Sequence, residues 1–452
     1  MNSKPIKINV SQIELGMYIA RLDRPWENTP FPIKGFYVRD RSEMKRLNVH
    51  CQYVYIDTIK GIPPTDSNLF EDRTLAVDSP DIYRGSLEPL CVDSAVYKNV
   101  QPLAAELPIA HDAYNTLMRD IGVIMGQVTK KTTYLLKPFS EAVYAVVDSI
   151  SRNPDAFMWL MRVRKTDKKD PFYYLLRSAS WAVVFGRHLG LSKANLRIIA
   201  LSVMLRDVGR LTLPKILLSS KAGDFTHSGV GQIIVEQTMT ILRGISDVHP
   251  KVLKTVSMMF ESLNGSGYPK QLQGDEISLL SKVAGVAVFY DDATYLKDEL
   301  CSIPSSQSIL RLYEVRGKQY QDDVVVEFIK AFGLYPTGTL VKLSTSEIAI
   351  VTEQNYARRL KPRVMVVVDN KGEVLESFKY IDLMVGDTRS IVPSSLSRMH
   401  KAEVQAPSRI DIVEDVQPYD YPIKITKIRE EHIASHVPQK KRSFNMHSMH
   451  TD

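Results

Sequence analysis

From Ala104 to Phe332 apolar residues recur at helical spacing with few breaks, and this block constrains the fold more than any other feature. Tyr114 to Val128 is amphipathic. Leu135 to Ser151 follows, then Phe157 to Val163 after Pro154. Asp167, Asp170 and Pro171 punctuate the chain. Apolar helices are predicted over residues 173–190, 193–207, 230–245, 249–263 and 277–297, and one more over Ser306 to Phe332. A glycine-rich loop at 264–269 separates two of them. Such a block buries its apolar faces by packing helix on helix, so the fold class is multidomain and mainly α.

Both flanks change period. Ile6 to Val10 alternates at period two, and Met17–Leu22, Gly35–Val38 and Val54–Asp57 are β-like, with a short helix over Glu43–Leu47. Residues 1–60 are therefore read as a small β or α+β domain. Residues 61–103 carry breaker clusters (Pro63-Pro64-Thr65-Asp66-Ser67, Asp78-Ser79-Pro80-Asp81) and read as a flexible linker. The helical domain is assigned to 104–334, with its core at about 173–297. A β-rich extension is assigned to 335–395 from the runs Leu340–Leu343, Glu347–Val351 and Val364–Val368, the last followed by a turn at Asp369-Asn370-Lys371-Gly372 and then Val374-Leu375. Residues 396–452 read as a disordered tail, with one strand around Ile423-Lys424-Ile425.

Composition excludes several classes. Cys51, Cys91 and Cys301 are too scattered for a zinc knuckle or a disulfide framework, which fits a reducing, cytoplasmic setting. The first ten residues lack the apolar region of a secretory signal, and no apolar run is long enough for a membrane span. The net charge of +7 is not concentrated enough to mark a nucleic-acid partner, and Lys440, Lys441 and Arg442 read as a solvated tail.

The chemistry-bearing residues come in a fixed order. Arg206-Asp207-Val208-Gly209-Arg210 closes an apolar helix, and Leu213-Pro214-Lys215-Ile216-Leu217 follows. Glu261-Ser262-Leu263-Asn264-Gly265-Ser266-Gly267-Tyr268-Pro269 comes later, then Phe289-Tyr290-Asp291-Asp292-Ala293. This series resembles the HD-GYP module, the bacterial cyclic-di-GMP phosphodiesterase fold, whose motifs run H-D-x-G-K, I-P-x-x-I-L, H-H-E-x-x-D/N-G-S-G-Y-P and D-x-x-D-A. The Asn264–Pro269 loop matches in full. Pro5 to about Lys60 resembles an uncharacterised domain that often precedes this module, and Tyr335 to Leu383 the β extension that often follows it.

In that superfamily His and Asp side chains hold divalent metals, which supply hydroxide at neutral pH and brace the phosphoryl transition state. The resemblance places the ligand positions at Arg177, Arg206, Asp207, Met259, Phe260 and Phe289, with a loosely aligned one near Ile234. Only Asp207 keeps a ligand residue type, and Glu261 survives beside the lost pair. The histidines at 50, 111, 188, 227, 249, 400, 432, 436, 447 and 450 do not fill the gaps. No metal cofactor is therefore expected, and the chain reads as a non-catalytic relative. The alternative is an active phosphodiesterase with a rearranged metal site.

Three further expectations follow. A guanidinium of Arg177 or Arg206 takes the place of a metal ion and pairs with Asp207. Arg210, at the lysine position of H-D-x-G-K, is the first candidate to hold a ligand phosphate, with Arg177 and Arg206 as the others. The loop of Asn264, Gly265, Ser266, Gly267, Tyr268 and Pro269 is a candidate contact surface, since the resemblance links it to GGDEF-domain diguanylate cyclases. The implied partners are such signalling proteins or cyclic-di-GMP itself. Phe172, Tyr173, Tyr174 and Trp181 read as core at helical spacing, against a role in stacking a guanine, and Trp26 reads as core of the small domain.

Overall fold

The computed structural model describes residues 5–24, 26, 29, 31, 35–38, 41–58, 61–63, 83, 85–93, 95–98, 100–130, 136–163, 172–214, 229–295, 303–355, 358–384, 410–417, 420, 421, 423, 427, 428, 431 and 432. Most of the motif around Pro214–Leu217, the predicted strand at Ile423–Ile425 beyond its first residue, Cys301 and the basic run at 440–442 lie outside these residues.

The N-terminal unit is a four-stranded antiparallel sheet of order β1-β4-β2-β3, built from β1 (Ile6–Asn9), β2 (Tyr18–Leu22), β3 (Phe36–Tyr37) and β4 (Tyr53–Ile56). Alternation puts Ile8, Ile19, Val54 and Ile56 on the buried face with Leu47 of α1 (Arg41–His50). Trp26 packs on Phe31 and Phe36, the core role expected of it.

The central domain is helical: α2 (Leu103–Lys130), α3 (Leu136–Arg152), α4 (Pro154–Arg162), α5 (Tyr173–His188), α6 (Lys193–Leu205), α7 (Gly229–Arg243), α8 (Pro250–Met258), α9 (Leu279–Thr294), α10 (Ser305–Glu314) and α11 (Asp322–Phe332). The predicted single helix from Ser306 to Phe332 is thus two helices. The chain turns at Gly317, where φ is +72°, a conformation cheap for glycine. Serine and asparagine caps start α4, α6 and α9: Asn153, Ser192 and Ser278 each accept a backbone N–H of the first turn. α2 is tied to the end of α3 by a two-point pair, Arg152 Nε and Nη2 at 2.7 and 2.8 Å from the Glu106 carboxylate.

The C-terminal unit is a second antiparallel sheet of order β8-β7-β6-β5-β9, from β5 (Leu340–Leu343), β6 (Ile348–Glu353), β7 (Arg363–Val368), β8 (Val374–Asp382) and β9 (Ile412–Asp415). A mainly α domain therefore sits between two β-strand regions, as the sequence predicts. The tail differs from expectation. β9 pairs with β5, and Ser306 Oγ donates to Asp415 at 2.6 Å. His432 is fully buried against Trp159 (ring centroids 4.3 Å) and bonds the Tyr380 hydroxyl at 2.9 Å. This short, acid-rich strand is fixed by the free edge of β5, a non-local partner that local pattern does not reveal.

The described part of the linker is also held down. Without regular secondary structure, it crosses the helical domain as a strap. Tyr83 N–H donates to Gly317 O, Glu88 N–H to Asp275, Leu90 N–H to Asp323, Asp93 N–H to Leu189 O and Tyr97 Oη to Leu191 O, all at 2.8–3.1 Å.

Candidate functional site

α5 presents Tyr174, Arg177, Ser178 and Trp181 on one face, spaced by three and four residues, toward α9. Arg177, Ser178 and Trp181 meet at the fully buried carboxylate of Asp291. Arg177 Nε lies 2.6 Å from Oδ1 and Nη2 3.1 Å from Oδ2. The Ser178 hydroxyl is 2.8 Å from Oδ2, and Trp181 Nε1 donates to Oδ1 at 3.1 Å. The Arg177 guanidinium also lies 3.4 Å from the centre of the Tyr295 ring. Burial works against the Arg177 charge, but Asp291, Tyr295 and Tyr173 more than offset it, so its pKa is raised. This is a buried, two-point ion pair whose carboxylate also accepts from Ser178 and Trp181, the geometry in which such a pair survives in a dry interior.

Arg206 caps the end of α6. Its Nη1 donates to Val203 O at 3.0 Å and its Nη2 to Ser178 Oγ at 3.1 Å, with the Tyr174 ring centre 5.1 Å from Cζ. Ser178 thus joins the two arginine environments. Asp207 accepts from the Tyr174 hydroxyl at 2.9 Å. Burial, with the nearby Asp207 carboxylate, holds that phenol well above its usual pKa. The expected pairing of Arg177 or Arg206 with Asp207 is corrected here. Arg177 reaches Asp291 instead, and among the described residues no ion pair joins either arginine to Asp207. The 3-10 turn at Val208–Thr212 begins right after Asp207, whose carboxylate meets the Tyr174 hydroxyl near the start of α5.

Asp292, next to Asp291, is solvent-exposed. Crowding by the protein around it raises its pKa, Arg206 opposes, and Asp291 and Asp207 add to the rise. Water screening of an exposed group tempers that rise.

Gly209 follows the turn. A Cβ there would lie 2.4 Å from Thr238 N, so the turn rests directly on α7. Thr238 Oγ1 accepts from Gly209 N–H at 3.0 Å and donates to Arg206 O at 3.1 Å. Arg210 is half-buried on the same turn.

The glycine-rich loop is a self-packed hairpin closed by a bridge between Asn264 and Gln273. Tyr268 is 9% exposed and stacks on Phe260 (centroids 5.4 Å, planes 7° apart). Glu261 accepts Lys270 N–H at 2.7 Å and Leu272 N–H at 3.1 Å. Asn264 Oδ1 takes Ser266 N–H at 3.1 Å. Outward side chains are those of Ser266, Lys270, Gln271 and Gln273. Met259 is buried, and the Phe289 ring meets Tyr320 edge-on (centroids 5.4 Å). A Cβ on Gly267 would fall 2.2 Å from Ser262 N and 2.5 Å from Glu261 Cα, both backbone atoms. Gly267→Ala is therefore expected to cost about 1–3 kcal/mol by overpacking, read as a lower urea midpoint. An unchanged midpoint would show that the loop can shift freely.

The structure thus gathers Arg177, Arg206 and Asp207 around α5, with Arg210 on the adjoining turn. It keeps Tyr268 inside its own loop. Sequence reasoning missed Asp291, Ser178 and Tyr295. The available signal was an aspartate pair in an otherwise apolar helix, facing a buried arginine that needs a counter-charge. Trp181 and Tyr173 are core residues, as expected. Among the described residues no group of three or more His, Cys, Asp or Glu side chains could hold a metal ion. A guanidinium bonded to Asp291 and a buried Met259 do not fit a divalent cation. Among the same residues, no helix is long and apolar enough to cross a membrane.

Comparison with known proteins agrees with this architecture. A domain of unknown function (DUF3391) matches residues 5–134, reaching past the 1–60 unit into α2. An HD domain matches 159–324, and a KOW domain associated with the HD domain matches 340–399. The chain is 26% identical over 392 residues to cyclic di-GMP phosphodiesterase PA4108 of Pseudomonas aeruginosa, covering 85% of this chain and 91% of that one. It is 22% identical over 230 residues to cyclic di-GMP phosphodiesterase PdeB of Borreliella burgdorferi, covering 49% and 58%. Among solved structures, Bd1817, an HDG"Y"P protein from Bdellovibrio bacteriovorus, aligns with a TM-score of 0.35 at 12% identity, over 72% of this chain and 98% of that one. The chain carries an HD-superfamily domain between flanking domains that resemble those of cyclic-di-GMP phosphodiesterases.

Proposed function

We propose that this is a non-catalytic HD-GYP-like protein of bacterial cyclic-di-GMP signalling, acting through protein contacts or as a receptor for the nucleotide. The observation that carries the reading is the Arg177–Asp291 pair, a guanidinium bound where the resemblance places a metal ligand. Phosphodiester hydrolysis in this superfamily depends on metal-activated water. A cation locked to a buried carboxylate opposes a second, divalent cation at the same place.

Within that reading the ligand candidates are unequal. Arg177 and Arg206 are 4% and 2% exposed and bonded internally. Arg210 is half-buried and better placed to meet a phosphate. The outward residues Ser266, Lys270, Gln271 and Gln273, rather than Tyr268, would meet a GGDEF-domain cyclase or another protein.

The test has two arms. The purified chain is incubated with cyclic-di-GMP and added manganese, iron or nickel, and product is sought. None is expected, and turnover to pGpG or GMP would overturn the reading in favour of an active enzyme with a rearranged site. Calorimetry then measures nucleotide binding to wild type and Arg210→Ala. Loss of one charge-assisted contact is expected to weaken any binding by roughly tenfold or more. Unchanged binding would remove Arg210 from the site.

A further inference from the structure

The turn between α10 and α11 touches four parts of the molecule, and Arg316 is at its centre. Its side chain is 4% exposed. Nη2 pairs with Glu43 of α1, Nε with Asp322 at 2.7 Å, and Nη1 donates to Tyr313 O at 3.3 Å. The face of the guanidinium lies 3.7 Å from the Tyr313 ring centre, and Tyr313 Oη donates to the same Glu43 carboxylate at 2.7 Å. Glu43 itself is 1% exposed. The N-terminal domain is thus seated on the helical domain through a buried carboxylate, with Phe36 of β3 edge-on to the Tyr313 ring beside it.

The same turn holds the glycine-rich hairpin. Leu263 N–H donates to Gln319 O at 2.8 Å and Asn264 N–H to Lys318 O at 3.1 Å. Gly317 O accepts from Tyr83 of the strap, and Gln321 bridges Glu88 O to Lys282. Tyr320 packs on Phe289, one of the positions at which the resemblance places a metal ligand.

We propose that Arg316 couples the N-terminal sheet domain to the glycine-rich hairpin, so that the packing of Leu263 and Asn264 depends on how Glu43 is seated. Stability alone does not call for this arrangement, because apolar side chains replace buried ion pairs at little or no cost. A planar guanidinium is the group that can serve two carboxylates, a carbonyl and an aromatic face at once. Removing Glu43 leaves that charge buried with only the exposed Asp322, and the turn must move to hydrate it. The hairpin amides bonded to the turn then open with it. The proposal concerns the apo protein and does not depend on nucleotide binding or on loss of activity.

The test is amide hydrogen exchange on the full chain, comparing Glu43→Gln, Arg316→Lys and the double variant with wild type. Exchange at Leu263 and Asn264 is expected to rise about tenfold or more in each single variant, while α6 keeps its protection. The double variant should add nothing beyond the larger single effect, as one shared route requires. Unchanged exchange at these two amides in either single variant would overturn the proposal. So would an equal rise across α6, or additive effects in the double variant. If Glu43→Gln unfolds the N-terminal sheet, seen as lost protection at Val54 and Ile56, Glu43→Asp replaces it under the same criteria.

Discussion

Replacing Arg177 by methionine is expected to lower the unfolding free energy by about 3–5 kcal/mol, the usual cost of leaving one partner of a buried ion pair alone. The Asp291 carboxylate would keep only the Ser178 hydroxyl and the Trp181 indole as donors, in a site that water does not reach. Stacking of the guanidinium on Tyr295 would go as well. The paired replacement, Arg177→Met with Asp291→Leu, removes both charges and should recover most of the loss. Urea unfolding of wild type, the single variant and the pair measures this. A single-variant loss under about 1 kcal/mol, the ceiling for an exposed pair, would mean that the pair is not buried as described.

A second large effect lies at the joint between α4 and the C-terminal sheet. Asp155 is buried, accepting Thr337 Oγ1 at 2.5 Å and Gln354 N–H at 3.2 Å. Burial pushes its pKa from 3.8 up to about 6, although those two hydrogen bonds oppose the rise. The folded state therefore holds this proton more tightly than the unfolded chain. Its contribution to stability is full below the unfolded pKa and is lost as pH rises through about 6. At about 1.4 kcal/mol per pK unit, wild type should lose roughly 3 kcal/mol relative to Asp155→Asn across that window, then run parallel to it at higher pH. Urea midpoints of both proteins from pH 4 to 8 provide the check. Parallel curves throughout would show that the carboxyl titrates normally.

The helical block is legible because its signal is local. α5 and α6 start where the sequence places them, α6 directly behind its Ser192 cap, and end within two residues of the predicted limits. The break between α10 and α11 is hidden because Gly317 is its lone strong marker: the flanking Arg316, Lys318 and Gln319 are polar but suit a helix as well as a turn. β9 and the strap are hidden for a different reason. Their partners, the β5 edge and the carboxylates of Asp275 and Asp323, are distant in the chain.

The site divides in the same way. Arg177 and Arg206 stand out by residue type at matched motif positions, and both are buried. Pairing them with Asp207 rests on nearness in sequence. The end of α6 turns that carboxylate toward Tyr174, and the counter-charge of Arg177 comes from α9. The loop shows the opposite case. Its six residues match the motif in full, yet Tyr268 and Gly267 are spent on the loop's own packing.

The most direct measurement is the metal content of the purified chain, taken by elemental analysis after dialysis against manganese, iron or nickel. The account predicts no stoichiometric metal, because a guanidinium bonded to Asp291 stands where the resemblance places the first ligand. One or more tightly held divalent ions per chain, lost on substitution of Asp207, would contradict it.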